Sequence, residues 1–348
     1  MGMHIISPAQ AKIEIIECMK AGITPYLVGS PGIGKSECVY QIGEEYLLEV
    51  IDLRMSQMAP EDLMGLPMRK DNKAFFAPFD MFPLEDTPLP PGKKGWILFL
   101  DELPSASPSV LAASYKIILD KMVGGQKLHP NCVVIAAGNK TTDKAIARNI
   151  GTALQSRVCT LEIGVFLKPT LKHFHKIGMD SRIVGFIEFQ PSKLHAFDPN
   201  HTDVTFACPR TWEFASKLIR GKEFDQISLP LLAGTISDGV AEEFYTFLRE
   251  YEQLPKFTQI RQNPDTTFIP PEGSTKFALV TMLVDYTDKD SIGTIVKYIK
   301  RLPPDFQVIY FRNVVRKDAQ LKQHEAFQQN ILDLTRFIYD DDDITEAA

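Results

Sequence analysis

Residues 27–37 read LVGSPGIGKSE, and no other stretch narrows the fold of this chain as far. Three glycines and a proline ordinarily mark a turn, yet an apolar run precedes them and a helix-forming segment follows. From Gly29 to Ser36 the residues fit GxxxxGK[ST] at every fixed position. A loop of this kind, closing a buried strand and opening a helix, lets successive main-chain N–H groups converge on phosphate oxygens. The positive end of the helix dipole lies behind them. Lys35 can then reach the β- and γ-phosphates of a nucleotide, and the Ser36 hydroxyl can sit on Mg²⁺. The candidate nucleotide-binding residues are therefore Gly29, Ser30, Pro31, Gly32, Ile33, Gly34, Lys35, Ser36 and Glu37. On this reading the residues are small so that a triphosphate can approach main chain. Glu37 suits the helix dipole but gains nothing from nearby phosphates.

The segments around this loop alternate between strand and helix. Ser7-Pro8 is a helix start, with a capping hydroxyl and proline at the first helical position. Ile13, Ile16 and Met19 follow at helical spacing up to Gly22. Strands are expected at TPYLVG, LEVIDL, GWILFLDE, CVVIAAGN and RVCTLEIG, and helices at SECVYQIGEEYL and SPSVLAASYKIILDKM. The run from Trp96 to Leu100 is apolar on both faces, as a strand in a helix-covered parallel sheet must be. The expected fold class is α/β, with a parallel five-stranded sheet. Asp101 and Glu102 close that central strand, where the carboxyl ends of parallel strands form the ligand crevice. Asp101 is placed on the metal and Glu102 on the attacking water.

After Pro169 the strand signal fades. LKHFHKIG, DSRIVGFIEF, RTWEFASKLI and GVAEEFYTFLREYEQL read as helices, and so do segments around KFALVTMLVDYT, DSIGTIVKYIKRL and DFQVIYFRNVV. The expected organisation is an α/β domain at 1–166 and a helical lid at 167–256. A proline-rich linker at 257–275, a helical extension at 276–339 and an acidic tail at 340–348 follow. His173 and His175, two apart on a helix, do not share a face and read as ordinary helix residues.

Composition removes several function classes. The five cysteines are scattered without a CxxC, so neither a disulfide framework nor a zinc site is indicated. A net charge of −6 argues against a chain built to coat nucleic acid. No apolar run approaches the roughly 20 residues of a membrane span. The start MGMHIISPAQAK has no signal-peptide pattern, which makes the cytoplasm the default location.

Taken together, GSPGIGKS, DLRMSQMAPEDLMGLP, WILFLDELPSASPSVLAASYKIILDKMVGGQKL, VVIAAGN, ALQSRV and CPRTWEFASKL resemble the AAA+ ATPases, and within them the MoxR-like branch. The resemblance spans about residues 5–220. It implies a P-loop core and a helical lid, ATP and Mg²⁺ bound between them, and a homo-oligomeric ring, a hexamer being the expected size. It further implies that Asn139 is the sensor 1 amide, that Arg157 is an arginine finger reaching a neighbouring subunit, and that Arg210 is the sensor 2 arginine. Arg148 is a second candidate for action in trans. A cation at the start of a helix opposes the macrodipole, which independently favours an anionic ligand for Arg210.

The branch is marked by two insertions, matched here by residues 68–95 and by the hairpin at 122–131, and in the family these loops face the ring's pore. Arg69, Lys70 and Lys73 sit beside Phe75, Phe76, Phe79 and Phe82. Stacking on single-stranded nucleic acid is one reading. The favoured reading packs these aromatics against their own domain. The resemblance implies remodelling of a protein client, with a von Willebrand factor A domain protein as the first partner to test. The rival readings are a DNA-directed motor or loader, and a nucleotide-gated scaffold with little turnover.

Overall fold

The apolar run at residues 95–101 becomes the heart of a sheet, with all seven of its residues buried. The structure is a computed structural model describing residues 4–143, 149–200 and 203–331. Arg148 and the acidic tail lie outside the described residues. Among these the strands are β1 (Ile5–Ile6), β2 (Thr24–Val28), β3 (Leu48–Arg54), β4 (Leu66–Lys70) and β5 (Lys73–Ala77). They continue with β6 (Gly95–Asp101), β7 (Met122–Val123), β8 (Gln126–Lys127), β9 (Cys132–Gly138) and β10 (Val158–Ile163). Six of them form one parallel sheet in the order β1-β10-β2-β9-β6-β3. The sheet thus has six strands, not the expected five. The extra one, β1, is a two-residue edge too short to leave a period in the sequence.

Among the described residues, five α-helices accompany the sheet: α1 (Pro8–Lys20), α2 (Lys35–Glu45), α3 (Pro60–Met64), α4 (Pro108–Asp120) and α5 (Thr152–Gln155). Alternation along β6 sends successive side chains to opposite faces. Trp96, Leu98 and Leu100 pack in a cluster with Val110 and Ile117 of α4. Ile97 and Phe99 join Ile15 of α1 with Val39 and Ile42 of α2. Helix α1 starts as expected, Ser7 Oγ accepting from the N–H of Gln10 at 3.2 Å. Its buried stripe differs from expectation: Ala11, Ile15 and Cys18 face inward, and Ile13 is exposed. Both stripes have helical spacing, and packing against the sheet chose between them.

Two antiparallel hairpins stand outside the main sheet, β4–β5 and β7–β8. The expectation that the aromatics of the first insert all pack against their own domain is overturned at its tip. Phe82 is buried, but Phe75 and Phe76 are each 43% exposed. A two-stranded ribbon has no layer of its own to cover them.

The second unit comprises residues 166–197 and 201–348, so the expected lid, linker and extension fall within one unit. Its described helices begin with α6 (Leu167–Lys176), α7 (Ser181–Phe189), α8 (Pro209–Ile219), α9 (Leu229–Ile236) and α10 (Asp238–Glu252). They continue with α11 (Phe257–Gln262), α12 (Gly273–Asp285), α13 (Ile292–Ile299), α14 (Pro304–Lys317) and α15 (Glu325–Ile331). The helical segments read from the sequence leave out α9, α11 and α15, and α11 borders the prolines of the expected linker. Among the described residues, no helix is long and apolar enough to cross a membrane.

Polar ties hold α7, α12 and α14 together. Lys317 Nζ donates to the carbonyls of Val284, Asp285 and Thr287 at 2.9, 2.6 and 3.2 Å, closing the end of α12. Asn313 Nδ2 donates to Glu188 at 2.7 Å, with Arg316 at 3.5 Å. Nearby on α6, His175 has a buried Nε2 without a hydrogen-bond partner among the described residues. Burial, and then the positive charges of Arg316 and Lys317, push its pKa from 6.5 down to about 4. The unfolded chain takes up this proton near pH 6.5 and the folded chain only near pH 4. The stability from keeping His175 neutral is therefore present above pH 6.5 and lost progressively down to pH 4, by about 3 kcal/mol. Urea unfolding between these pH values should show this loss, and His175→Phe should reduce it; equal pH slopes in both proteins would reject the assignment.

Candidate nucleotide-binding site

The phosphate-loop residues leave β2 and enter α2 at Lys35. Gly34, the residue before the helix, has φ 93°, a conformation that side chains with a Cβ rarely adopt. Gly29 is small for a different reason. A Cβ there would lie 2.5 Å from the Ile163 carbonyl oxygen of β10 and 2.6 Å from Ile33 Cδ1. The chain's own packing, rather than the approach of a triphosphate, demands glycine at this position. Ile33 buries its side chain in the core, which leaves its main chain for a ligand. Ser30 and Pro31 are half-buried and Gly32 is buried. Glu37 is exposed on α2 and accepts from Gln41 Nε2 at 2.9 Å.

Lys35 is 8% exposed. Its Nζ donates to the Gly29 carbonyl at 2.7 Å, the Ser30 carbonyl at 2.8 Å and Asn139 Oδ1 at 3.0 Å. Ser36 Oγ donates to Asp101 Oδ2 at 2.8 Å. Four of the predicted site residues, Lys35, Ser36, Asp101 and Asn139, are thereby brought together. They stand at the carboxyl ends of the adjacent strands β2, β9 and β6, the edge where open parallel sheets hold ligands.

Glu102 follows Asp101 with φ 58°, a left-handed conformation that costs a non-glycine residue on the order of 1–2 kcal/mol. Its N–H donates to Asp101 Oδ1 at 2.8 Å, and its carboxylate accepts from the Ser56 hydroxyl. The strained turn and these bonds hold the acid at the strand's mouth. Backbone strain that persists beside a candidate site is itself a functional pointer.

Sequence reading did not assign a role to Arg54, which completes the cluster. Strand register places it opposite Asp101 across β3 and β6. Its guanidinium donates to Asp101 Oδ2 and to Asp52 Oδ2, both at 2.9 Å, and lies 3.9 Å from Glu102 Oε1. Burial acts to lower its pKa, but Asp101, Asp52 and Glu102 together raise it, so Arg54 stays a cation among three acids. Tyr40 donates to Asp52 Oδ2 at 2.6 Å; that bond, with burial, pushes the phenol up to about 12. The one signal available beforehand was an arginine ending a strand, and it acquires meaning only through the register.

Arg157 is exposed between α5 and β10, and its Nη1 donates to the Ala153 carbonyl at 2.9 Å. Among the described residues no hydrogen bond joins it to the Lys35–Asp101 cluster. Arg210 is exposed at the second position of α8, in the second unit.

Comparison with known proteins is consistent with this geometry. Residues 25–159 match the ATPase family associated with various cellular activities (AAA). The chain has an α/β core with a phosphate-loop pattern and a parallel sheet, followed by a helical C-terminal region. No curated protein matches it. Among solved structures, a candidate ATPase from Cytophaga hutchinsonii is 10% identical over 88% of this chain and 81% of its own, with a TM-score of 0.37. A single-residue mutant of Thermotoga maritima RuvB is 15% identical over 95% of this chain and 89% of its own, with a TM-score of 0.36. Likenesses this loose in shape do not bear on function.

The packing explanation for Gly29 is testable without nucleotide. Gly29→Ala should lower unfolding stability by about 1–3 kcal/mol, the usual result of forcing a methyl into a filled space. Were the variant as stable as the parent and impaired only in nucleotide binding, the constraint would lie with the ligand.

Proposed function

We propose that the chain binds ATP with Mg²⁺ at this loop, hydrolyses it, and uses the free energy to remodel a macromolecular client within a ring of identical subunits. The observation that carries the reading is the Ser36–Asp101 hydrogen bond of 2.8 Å, which brings a hydroxyl and a carboxylate from two separate motifs to one point. Hard oxygen donors of this kind fit Mg²⁺, which takes one or two protein ligands beside water and phosphate oxygens. Bound there, the ion would offset charge on the phosphate oxygens.

The remaining roles belong to the chain's own side chains. Lys35 would neutralise the β- and γ-phosphates. Glu102 would orient the attacking water and accept its proton as the bond between the γ-phosphorus and the bridging oxygen breaks. Asn139 would hold the water or the γ-phosphate through its amide. Arg210 would touch nucleotide from the helical region, and Arg157 would stabilise transition-state charge in a neighbour's site. The MoxR-like resemblance supports a protein client, with a von Willebrand factor A domain protein first in line. A DNA-directed motor is the second reading, and the exposed tip of the β4–β5 hairpin favours it.

Phosphate release by the parent and by Glu102→Gln tests the chemistry. The variant should bind ATP normally and turn over at least about 100-fold more slowly; equal turnover would reject the role of Glu102. For the shared site, Arg157→Ala alone should be inactive and should recover activity when mixed with Glu102→Gln subunits. The absence of rescue at every mixing ratio would count against a finger acting in trans.

A further inference from the structure

The β4–β5 hairpin is fixed at its root and bare at its tip. At the root, a Cβ on Gly65 would lie 2.2 Å from the Ala77 carbonyl oxygen. A Cβ on Gly124, in the neighbouring β7–β8 turn, would lie 2.7 Å from the Met64 carbonyl oxygen and 2.9 Å from Pro78 Cγ. Backbones meet at van der Waals distance there, so the ribbon leaves the domain in a set direction. The far end turns at Asp71 and Asn72, with φ 49° and 59°. This is the two-residue geometry that matches strand twist, and Arg69 Nη2 donates to Asn72 Oδ1 at 2.8 Å.

Every residue from Leu66 to Phe76 is exposed. Register pairs Met68 with Phe75 and Lys70 with Lys73, which places all four on one face. Pro67 pairs with Phe76 on the other face, which also carries Arg69. One face therefore presents Phe75 with two cations, Lys70 and Lys73, and the other presents Phe76 with one, Arg69. Three cations and one acid occupy residues 66–77 of a chain whose net charge is −6. Such a ribbon would be an aggregation hazard if it had no partner, and its lysines discourage pairing with a second copy.

We propose that this tip binds single-stranded nucleic acid, with Phe75 and Phe76 stacking on bases and Arg69, Lys70 and Lys73 pairing with phosphates. The spacing of flat ring and cation on both faces answers the base-and-phosphate repeat of a single strand. An amphipathic helix would need a groove to bury its apolar face, and a ribbon exposed on both faces offers none. The proposal names the client class for the second reading above. It stands apart from the ATP chemistry, because none of these residues belongs to the Lys35–Asp101 cluster.

Fluorescence anisotropy of a labelled oligothymidylate of about thirty nucleotides, long enough to exceed a single-strand site, tests this on the full chain with and without Mg-ATP. Binding should weaken with salt at a log–log slope of about −2, the value for three cations on a single strand. Lys70→Gln with Lys73→Gln should flatten the slope to about −0.7. Phe75→Ala and Phe76→Ala should each weaken binding about 10-fold and leave the slope unchanged. Thermal unfolding and binding of a fluorescent ATP analogue, unchanged in all variants, would confirm that the fold is intact. No binding at low salt would overturn the proposal, and so would binding that survives both phenylalanine substitutions. Binding of a glutamate-rich peptide to the tip, with the oligonucleotide silent, would assign a protein partner instead and also overturn it. A protein that grips the oligonucleotide yet fails to bind ATP would sink the ATPase reading and leave this one standing.

Discussion

One oxygen atom, Asp101 Oδ2, accepts hydrogen bonds from two directions, from Ser36 on α2 and from Arg54 on β3. Its residue is buried at the end of the central strand. A carboxylate in that position must be matched by donors or cations, because burying an unmatched charge costs several kcal/mol. Ser36 and Arg54 supply the match. The same contacts bring the loop helix and the edge strand to bear on one point. Lys35 reaches across to Asn139, which draws the end of β9 into the same arrangement. The site is thus the place where the polar ends of an apolar sheet have to satisfy one another.

That arrangement depends on the layers beneath it. Alternate residues of β6 bury against α4 on one face and against α1 and α2 on the other. Removing apolar surface from both faces fixes the strand's depth, and with it the position of Asp101 and Glu102. The glycines act at the same level. Gly29 lets β2 and β10 close up behind the loop, and Gly34 permits the left-handed step into α2. The loop's geometry is therefore set largely by the protein's own packing, whatever ligand it holds.

The helical unit is organised by other means. Lys317 caps the end of α12 through three carbonyls, while Glu188, Asn313 and Arg316 bind α7 to α14. Burial raises the pKa of Glu188, and Arg316 and Asn313 act against that rise. Long-range polar contacts of this kind leave no periodic trace in a sequence. The short helix α11 and the proline-led helix α9 were missed for a related reason, since their neighbours supply the stability that their own residues do not.

What the sequence determined by itself was the alternation of strands and helices, the phosphate-loop pattern, and the acids ending an apolar run. Each is a local pattern whose physical cause lies within a few residues: spacing of apolar side chains, a capping hydroxyl, or small residues between strand and helix. What only the tertiary structure decided was register and choice of face. Arg54 became part of the site because β3 lies beside β6 and pairs it with Asp101. Ile15 is buried and Ile13 exposed because α1 packs its Ala11–Ile15–Cys18 face on the sheet. Phe75 and Phe76 stayed exposed because their ribbon leaves the domain without a covering layer. Which partner meets a given side chain is a property of strand order and packing, and residues far apart in the chain settle it jointly.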